Sequence, residues 1–143
     1  MTTRGKLTIF VAVCAVAYLG MGGGVSLPWG STATGPVAVL ILEETADRSL
    51  LPESQLEILS STELRAWAVA HCDKDADGQP QFRVIDKDAD TTHMDHLWQD
   101  RIVLAKSKPL PYLAVSTGRS GAAGDLPLTV NETLKVLKKW GGE

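Results

Sequence analysis

The chain has 143 residues, of which 44% are hydrophobic, and a formal net charge of −3. This length suits a single domain with a packed core. Arg4 and Lys6 precede a run from Leu7 to Leu42 without a charge, so the remainder has 12 basic side chains (14 less these two) against 17 acidic ones. Nucleic-acid binding requires a concentrated basic face, and we therefore expect no nucleic-acid partner.

Residues 1–27 have the pattern of a targeting segment. A basic start precedes the apolar run LTIFVAVCAVAYL, which fits a signal peptide with cleavage after Ala33. Alternatively, Leu7–Leu27 form an uncleaved membrane anchor, because 21 uncharged residues span roughly 31 Å as a helix. Both alternatives place the domain in the cell envelope or outside the cell, with an anchored N-terminus in the cytoplasm. Residues 28–36 predict a linker, and residues 37–143 form the domain.

The first elements of this domain alternate between strand and helix. The stretch VAVLILEET is apolar on both faces, which is typical of a central strand covered by helices. The residues between the first strand and QFRVID have apolar side chains at helical spacing. Within them, Ser60 and Glu63 make a capping box, which predicts a break in the helix near Ser60. The stretch QFRVID predicts the second strand.

The second half of the domain predicts a helix, a β-hairpin and a final helix. Thr92 and Asp95 make a capping box that opens a helix through about Lys106. The apolar stripe of this helix comprises Met94, Leu97, Trp98 and Ile102. The stretches PYLAVSTG and GAAGDLPL predict the two strands of the hairpin, and Thr129 with Glu132 caps the last helix.

The resulting order is β-α-β-α-β-β-α, an α/β fold with a mixed four-stranded sheet flanked by helices and preceded by an N-terminal apolar helix. Right-handed crossovers predict that the first three strands are parallel and that the hairpin adds an antiparallel edge. This order, with PLPY before the third strand, resembles the thioredoxin-like fold in its minimal, glutaredoxin-sized form over about residues 36–142. The resemblance extends to uncharacterised bacterial members with signal or anchor segments. It implies a cis proline, which Pro111 matches better than Pro109.

The chain differs from the redox-active members of that family between the first strand and the first helix. Those members carry a cysteine where the first strand enters the first helix, whereas residues 43–54 here contain none. Dithiol exchange requires a thiolate at that position, so we expect neither disulfide oxidoreductase activity nor a cofactor.

What the resemblance still implies is a groove beside the cis proline. In this fold such a groove holds an extended peptide as an added strand, which makes a protein or peptide the expected partner. The alternative is that Pro111 only fixes a turn and that the groove binds nothing. The predicted groove residues are Ala46, Asp47, Arg48, Ser49, Leu110, Pro111 and Tyr112.

Cys72 is the only cysteine of the predicted domain, so no disulfide can form within it. The residue is either a small buried hydrophobe or the reactive thiol of a single-cysteine enzyme. His71 is its neighbour, but adjacent helical side chains point in different directions. His93 and His96 share a helix face without a third zinc ligand, which favours surface histidines.

The sequence DKDAD occurs twice, from Asp73 and from Asp86. The first copy fits the beginning of an EF-hand calcium loop, but Val84 stands where a bidentate glutamate must close the shell. Aspartate and glycine are also favoured where strands and helices begin and end. We therefore expect solvated loops and no metal, the alternative being a weak calcium site in a structural module. The ligands of that site would be Asp73, Asp75 and Asp77.

Overall fold

The computed structural model describes residues 25–26, 37–117 and 121–142. The strands are β1 (Val25–Ser26), β2 (Ala38–Glu43), β3 (Phe82–Asp86), β4 (Tyr112–Ser116) and β5 (Gly121–Asp125). The helices are α1 (Glu53–Ser60), α2 (Thr62–His71), α3 (His96–Lys106) and α4 (Val130–Gly141). A 3₁₀ helix over Thr45–Leu50 connects β2 to α1.

The five strands form one mixed sheet in the order β1-β5-β4-β2-β3. Strand β2 is parallel to β3 and antiparallel to β4. Strand β5 is antiparallel to β4 and to the two-residue strand β1. The mixed α/β class and the four principal strands are therefore confirmed, with β2 inside the sheet and β3 at one edge.

The predicted direction of the third principal strand is wrong. The sequence predicted that Tyr112–Ser116 would run parallel to the first two principal strands, but β4 is antiparallel to β2, with Leu42 opposite Tyr112. The crossover rule fixes the handedness of a parallel connection and does not dictate that a connection is parallel. Because β2 is apolar on both faces, its sequence does not indicate whether a neighbouring strand runs parallel or antiparallel to it.

All six residues of β2 are buried, and they divide the core into two layers. Val39 and Ile41 pack with buried residues of α1, α2 and α4 on one face of the sheet. Leu40 and Leu42 pack with Trp98, Ile102 and other residues of α3 on the opposite face. Each such Leu or Ile contributes about 1.5–3 kcal/mol by leaving water, so burial on both faces fixes β2 at the centre of the domain.

The break between the first two helices is confirmed, but its cap lies one residue later than predicted. The hydroxyl of Ser61 accepts a hydrogen bond from the amide of Leu64 at 3.1 Å and so begins α2. Ser60 instead belongs to α1 and donates back to the carbonyl of Leu56 at 3.4 Å. Ser61 is therefore the residue whose side chain satisfies an otherwise free amide at the start of α2.

Helix α3 begins at His96, four residues after the predicted cap. The amide and the hydroxyl of Thr92 both donate to the carboxylate of Asp90, at 3.0 and 2.7 Å. This Asx turn directs the Thr92 hydroxyl backward along the chain, where it cannot cap a helix. The predicted end at Lys106 is confirmed, as is the burial of Trp98 and Ile102, while the side chain of Leu97 lies outside the described part.

Helix α4 follows the prediction most closely. The hydroxyl of Thr129 accepts from the amide of Glu132 at 3.2 Å, and Glu132 in turn accepts from the amide of Leu128 at 3.2 Å. Leu134 and Leu137 are buried against the sheet. The capping box and the apolar spacing therefore encode this element locally.

The predicted N-terminal apolar helix lies outside the described residues except for Val25 and Ser26. These two residues are extended and pair with Ala123 and Ala122 of β5, so they are not part of a helix. Within the described residues, every helix is too short or too polar to cross a membrane.

Replacing Ser61 with alanine should lower the free energy of unfolding by about 1 kcal/mol, because an amide at the start of α2 loses its acceptor. The matched change Ser60→Ala should stay within about 0.5 kcal/mol of the parent, since Ser60 is exposed and lies inside α1. Urea titration of both variants measures the difference. Equal losses, or a larger loss for Ser60→Ala, would contradict the assignment of the cap.

Candidate functional site

The predicted groove residues come from two segments that meet at one edge of the sheet. Strand β2 runs into the 3₁₀ helix at this edge, and β4 starts there, because Leu42 pairs with Tyr112. The side chains of Ala46, Asp47, Arg48 and Ser49 are all exposed. We call this region, comprising residues 43–50, 86–88 and 110–112, the carboxyl edge of β2.

The side chains of the second segment lie largely in the core and do not line a groove. Tyr112 is buried in the layer beneath α3, and this burial raises the pKa of its phenol. Leu110 is partly buried against the same layer. Tyr112 therefore offers no free side-chain surface to a ligand, whereas Leu110 and Pro111 remain partly exposed.

The backbone groups around Pro111 differ in whether they have a hydrogen-bond partner. The Leu110–Pro111 peptide bond is cis, in agreement with what the resemblance implies for Pro111. The carbonyl of Pro111 accepts from the amide of Leu126 at 3.0 Å. The amide and the carbonyl of Leu110 make no hydrogen bond to any described residue. An extended ligand could use both groups, as an added strand does.

A buried amide side chain fixes the chain segment next to Pro111. Gln55 of α1 donates to the carbonyl of Leu126 at 3.0 Å and to that of Pro127 at 3.3 Å. Gln55 is buried, so these bonds satisfy both side-chain N–H groups where water has little access. This contact ties the loop before α4 to α1, and sequence patterns gave no sign of it.

The most unusual residue of the carboxyl edge is Glu43, a carboxylate at the end of an otherwise apolar strand. Its side chain is only 3% exposed, whereas its partner Arg48 is 47% exposed. Nε of Arg48 donates to one carboxylate oxygen at 2.7 Å, and a terminal guanidinium nitrogen donates to the other. This two-point pairing raises the pKa of Arg48 and compensates the buried charge.

Three further carboxylates converge at the same edge. Oxygens of Glu44, Asp86 and Asp88 lie within 4.8 Å of one another, which makes them the described residues that could hold a metal ion. Asp86 accepts from the amides of Thr45 and Asp88, each at 2.7 Å, and Glu44 pairs with Lys87. A hydrogen bond from the side chain of Thr45 is the leading cause that lowers the pKa of Asp86, followed by the bond from the Thr45 amide. These bonds give Asp86 and Glu44 a structural role at the start of the 3₁₀ helix, whereas the carboxylate of Asp88 makes no hydrogen bond or ion pair to another described residue.

The first DKDAD copy forms a tight turn between α2 and β3. The carboxylate of Asp75 accepts from the amides of Asp77 at 3.0 Å and Gln79 at 2.9 Å, and its other oxygen pairs with Arg83 at 2.9 Å. Gly78 supplies the positive φ of +75° that this turn requires. The amide of Gln79 is the main cause that lowers the pKa of Asp75.

The three aspartates of the alternative calcium site have separate contacts in this turn. Asp73 accepts only from the adjacent amide of Lys74, at 3.0 Å. The side chain of Asp77 makes no hydrogen bond or ion pair to another described residue, whereas Asp75 accepts from two amides and pairs with Arg83. Among the described residues, the group of converging ligand atoms is the one at the carboxyl edge and does not include these aspartates.

Cys72 lies far along the chain from the carboxyl edge, at the end of α2. Its side chain is buried, and this burial raises the pKa of the thiol to about 11. The ring of His71 stacks on Trp67 with 4.9 Å between ring centroids. His93 and His96 are exposed, and neither joins a group of three ligand atoms among the described residues. A thiol with this pKa is almost entirely protonated at neutral pH.

Comparison with known proteins adds no relative from which a function could be transferred. No protein-family model, curated protein or solved structure matches the chain. The residues themselves therefore carry the functional argument.

Changing Asp75 to asparagine should reduce stability at pH 7, even with a calcium chelator present, because the ionised carboxylate accepts two amides and pairs with Arg83. The lowered pKa of Asp75 gives stability that is present above its unfolded pKa of about 3.9 and is lost as the pH falls through the folded value. The variant should therefore lose less stability than the parent between pH 7 and pH 3.

Urea titrations at the two pH values measure this difference, with Asp77→Asn as the matched control. Similar stability and pH dependence for the two variants would contradict the structural role of Asp75. A need for calcium to reach the parent's stability would favour the metal site instead.

Proposed function

We propose that this chain is an exported or membrane-tethered thioredoxin-like domain without a redox centre, which binds an extended peptide or protein segment at the carboxyl edge of β2. The element order of the domain supports the fold assignment, as does the β-hairpin followed by the capped helix α4. The export or tethering rests on residues 1–27 of the sequence, which carry a basic start and an apolar run.

The observation that carries the binding proposal is that the amide and the carbonyl of Leu110, at the carboxyl edge of β2, make no hydrogen bond to any described residue. A backbone amide and carbonyl without protein partners can each hydrogen-bond to an extended ligand. The exposed residues 46–49 lie at the same edge and supply a side-chain surface. Leu50, which is 78% exposed, adds an apolar side chain to that surface.

The chemistry of the same edge argues against a thiol reaction there. The sequence between β2 and α1 has no cysteine, and Ser49 is an exposed hydroxyl without a described histidine or carboxylate partner. An unactivated serine is a weak nucleophile. The alternative enzyme would have to use Cys72, whose burial and raised pKa both oppose thiolate formation. Binding is therefore the function that fits this edge better.

The binding proposal can be tested with a library of unstructured decapeptides and the full-length protein, solubilised in detergent if it remains anchored. Peptides that bind should perturb the backbone NMR signals of Leu110 and of residues 46–49. The variant Ser49→Trp should weaken binding at least about tenfold, because a large side chain would cover the exposed surface.

The matched control is Ser60→Trp, which introduces the same side chain at an exposed position of α1. This variant should bind as the parent does. The absence of any binding peptide, or an equal effect of the two tryptophans, would overturn the proposal.

A further inference from the structure

The 3₁₀ helix Thr45–Leu50 contributes no side chain to the core. None of its six residues is buried, and its one large hydrophobic residue, Leu50, is 78% exposed. The residues on either side are fixed, since Glu43 belongs to the buried strand β2 and Leu51 packs against the core. The segment is thus a short loop between two anchored points, and its displacement would expose little apolar surface.

Polar contacts alone connect this segment to the sheet. At its start, the amide of Thr45 donates to Asp86. Beyond Thr45, the only hydrogen bonds from the segment to a strand, within the described residues, are those of Arg48 with Glu43. One ion pair therefore determines whether the middle and the end of the segment stay on the sheet.

Breaking this ion pair costs much less free energy for Arg48 than for Glu43. Arg48 is already half exposed and can turn into water at little cost. Glu43 would be left as a buried, unpaired charge unless water reached it, which is strongly unfavourable. Displacement of the 45–50 segment would admit that water, so loss of the pair and opening of the segment favour each other.

We propose that the 45–50 segment is a movable wall of the carboxyl edge, held closed by the Glu43–Arg48 ion pair. Opening exposes the Glu43 carboxylate to water, and closing covers it. The bearing of this motion on ligand binding rests on the proposed function, whereas the motion itself does not.

Hydrogen–deuterium exchange of the full-length protein without a ligand tests the motion directly. In Arg48→Met, amides of residues 45–51 should exchange at least about tenfold faster than in the parent, while β4 and α2 keep their protection. The control Arg65→Met also removes an exposed guanidinium, whose hydrogen bonds within the described residues go to the carbonyls of Leu59 and Ser61. It should leave the exchange of residues 45–51 unchanged.

A double variant separates the effect of the unpaired charge from that of the missing arginine. In Glu43→Leu with Arg48→Met, an apolar side chain replaces the buried carboxylate, so exchange of residues 45–51 should return to within about threefold of the parent. Unchanged exchange in Arg48→Met would overturn the proposal, as would a uniform rise across the whole domain or equal opening of the single and double variants. None of these results depends on whether a peptide binds, so the binding assay with Ser49→Trp judges the proposed function separately.

Discussion

The burial of β2 on both faces is the constraint on which the rest of this structure depends. Its apolar residues hold two helical layers together, and they place the end of the strand, Glu43, where a charge has almost no contact with water. A buried carboxylate needs a partner, and Arg48 reaches back from the following turn to provide it. The position of Glu43 thus contributes to the conformation of the chain between β2 and α1, together with the contacts of Thr45 with Asp86 and of Glu44 with Lys87.

The carboxyl edge of β2 has two kinds of functional group as a consequence. The carboxylates of Glu43, Glu44 and Asp86 pair with cations or backbone amides at the start of the 3₁₀ helix. The amide and the carbonyl of Leu110, in contrast, have no hydrogen-bond partner among the described residues. These unpaired backbone groups are the basis of the proposal that the edge binds an extended peptide, and Cys72 is buried at the end of α2.

Sequence patterns predicted those features that a few consecutive residues encode. The apolar run of β2, the Thr129 cap of α4 and the turn character of the DKDADG stretch are all local, and each is confirmed. The direction of β4 was predicted wrongly because it depends on which strand it meets, and an apolar strand accepts either direction. Glu43 and Arg48 were missed as a pair because a spacing of five residues is informative only once the 3₁₀ turn is known.

We propose that Cys72, the one cysteine among the described residues, is not a working nucleophile. Reduction of insulin disulfides by the full-length protein, with dithiothreitol as the electron source, tests it most directly. We expect insulin to be reduced at the same rate as by dithiothreitol alone, both with the parent and with Cys72→Ser. A buried thiol with a pKa of about 11 supplies almost no thiolate at pH 7. Catalysed reduction by the parent that disappears in Cys72→Ser would contradict it.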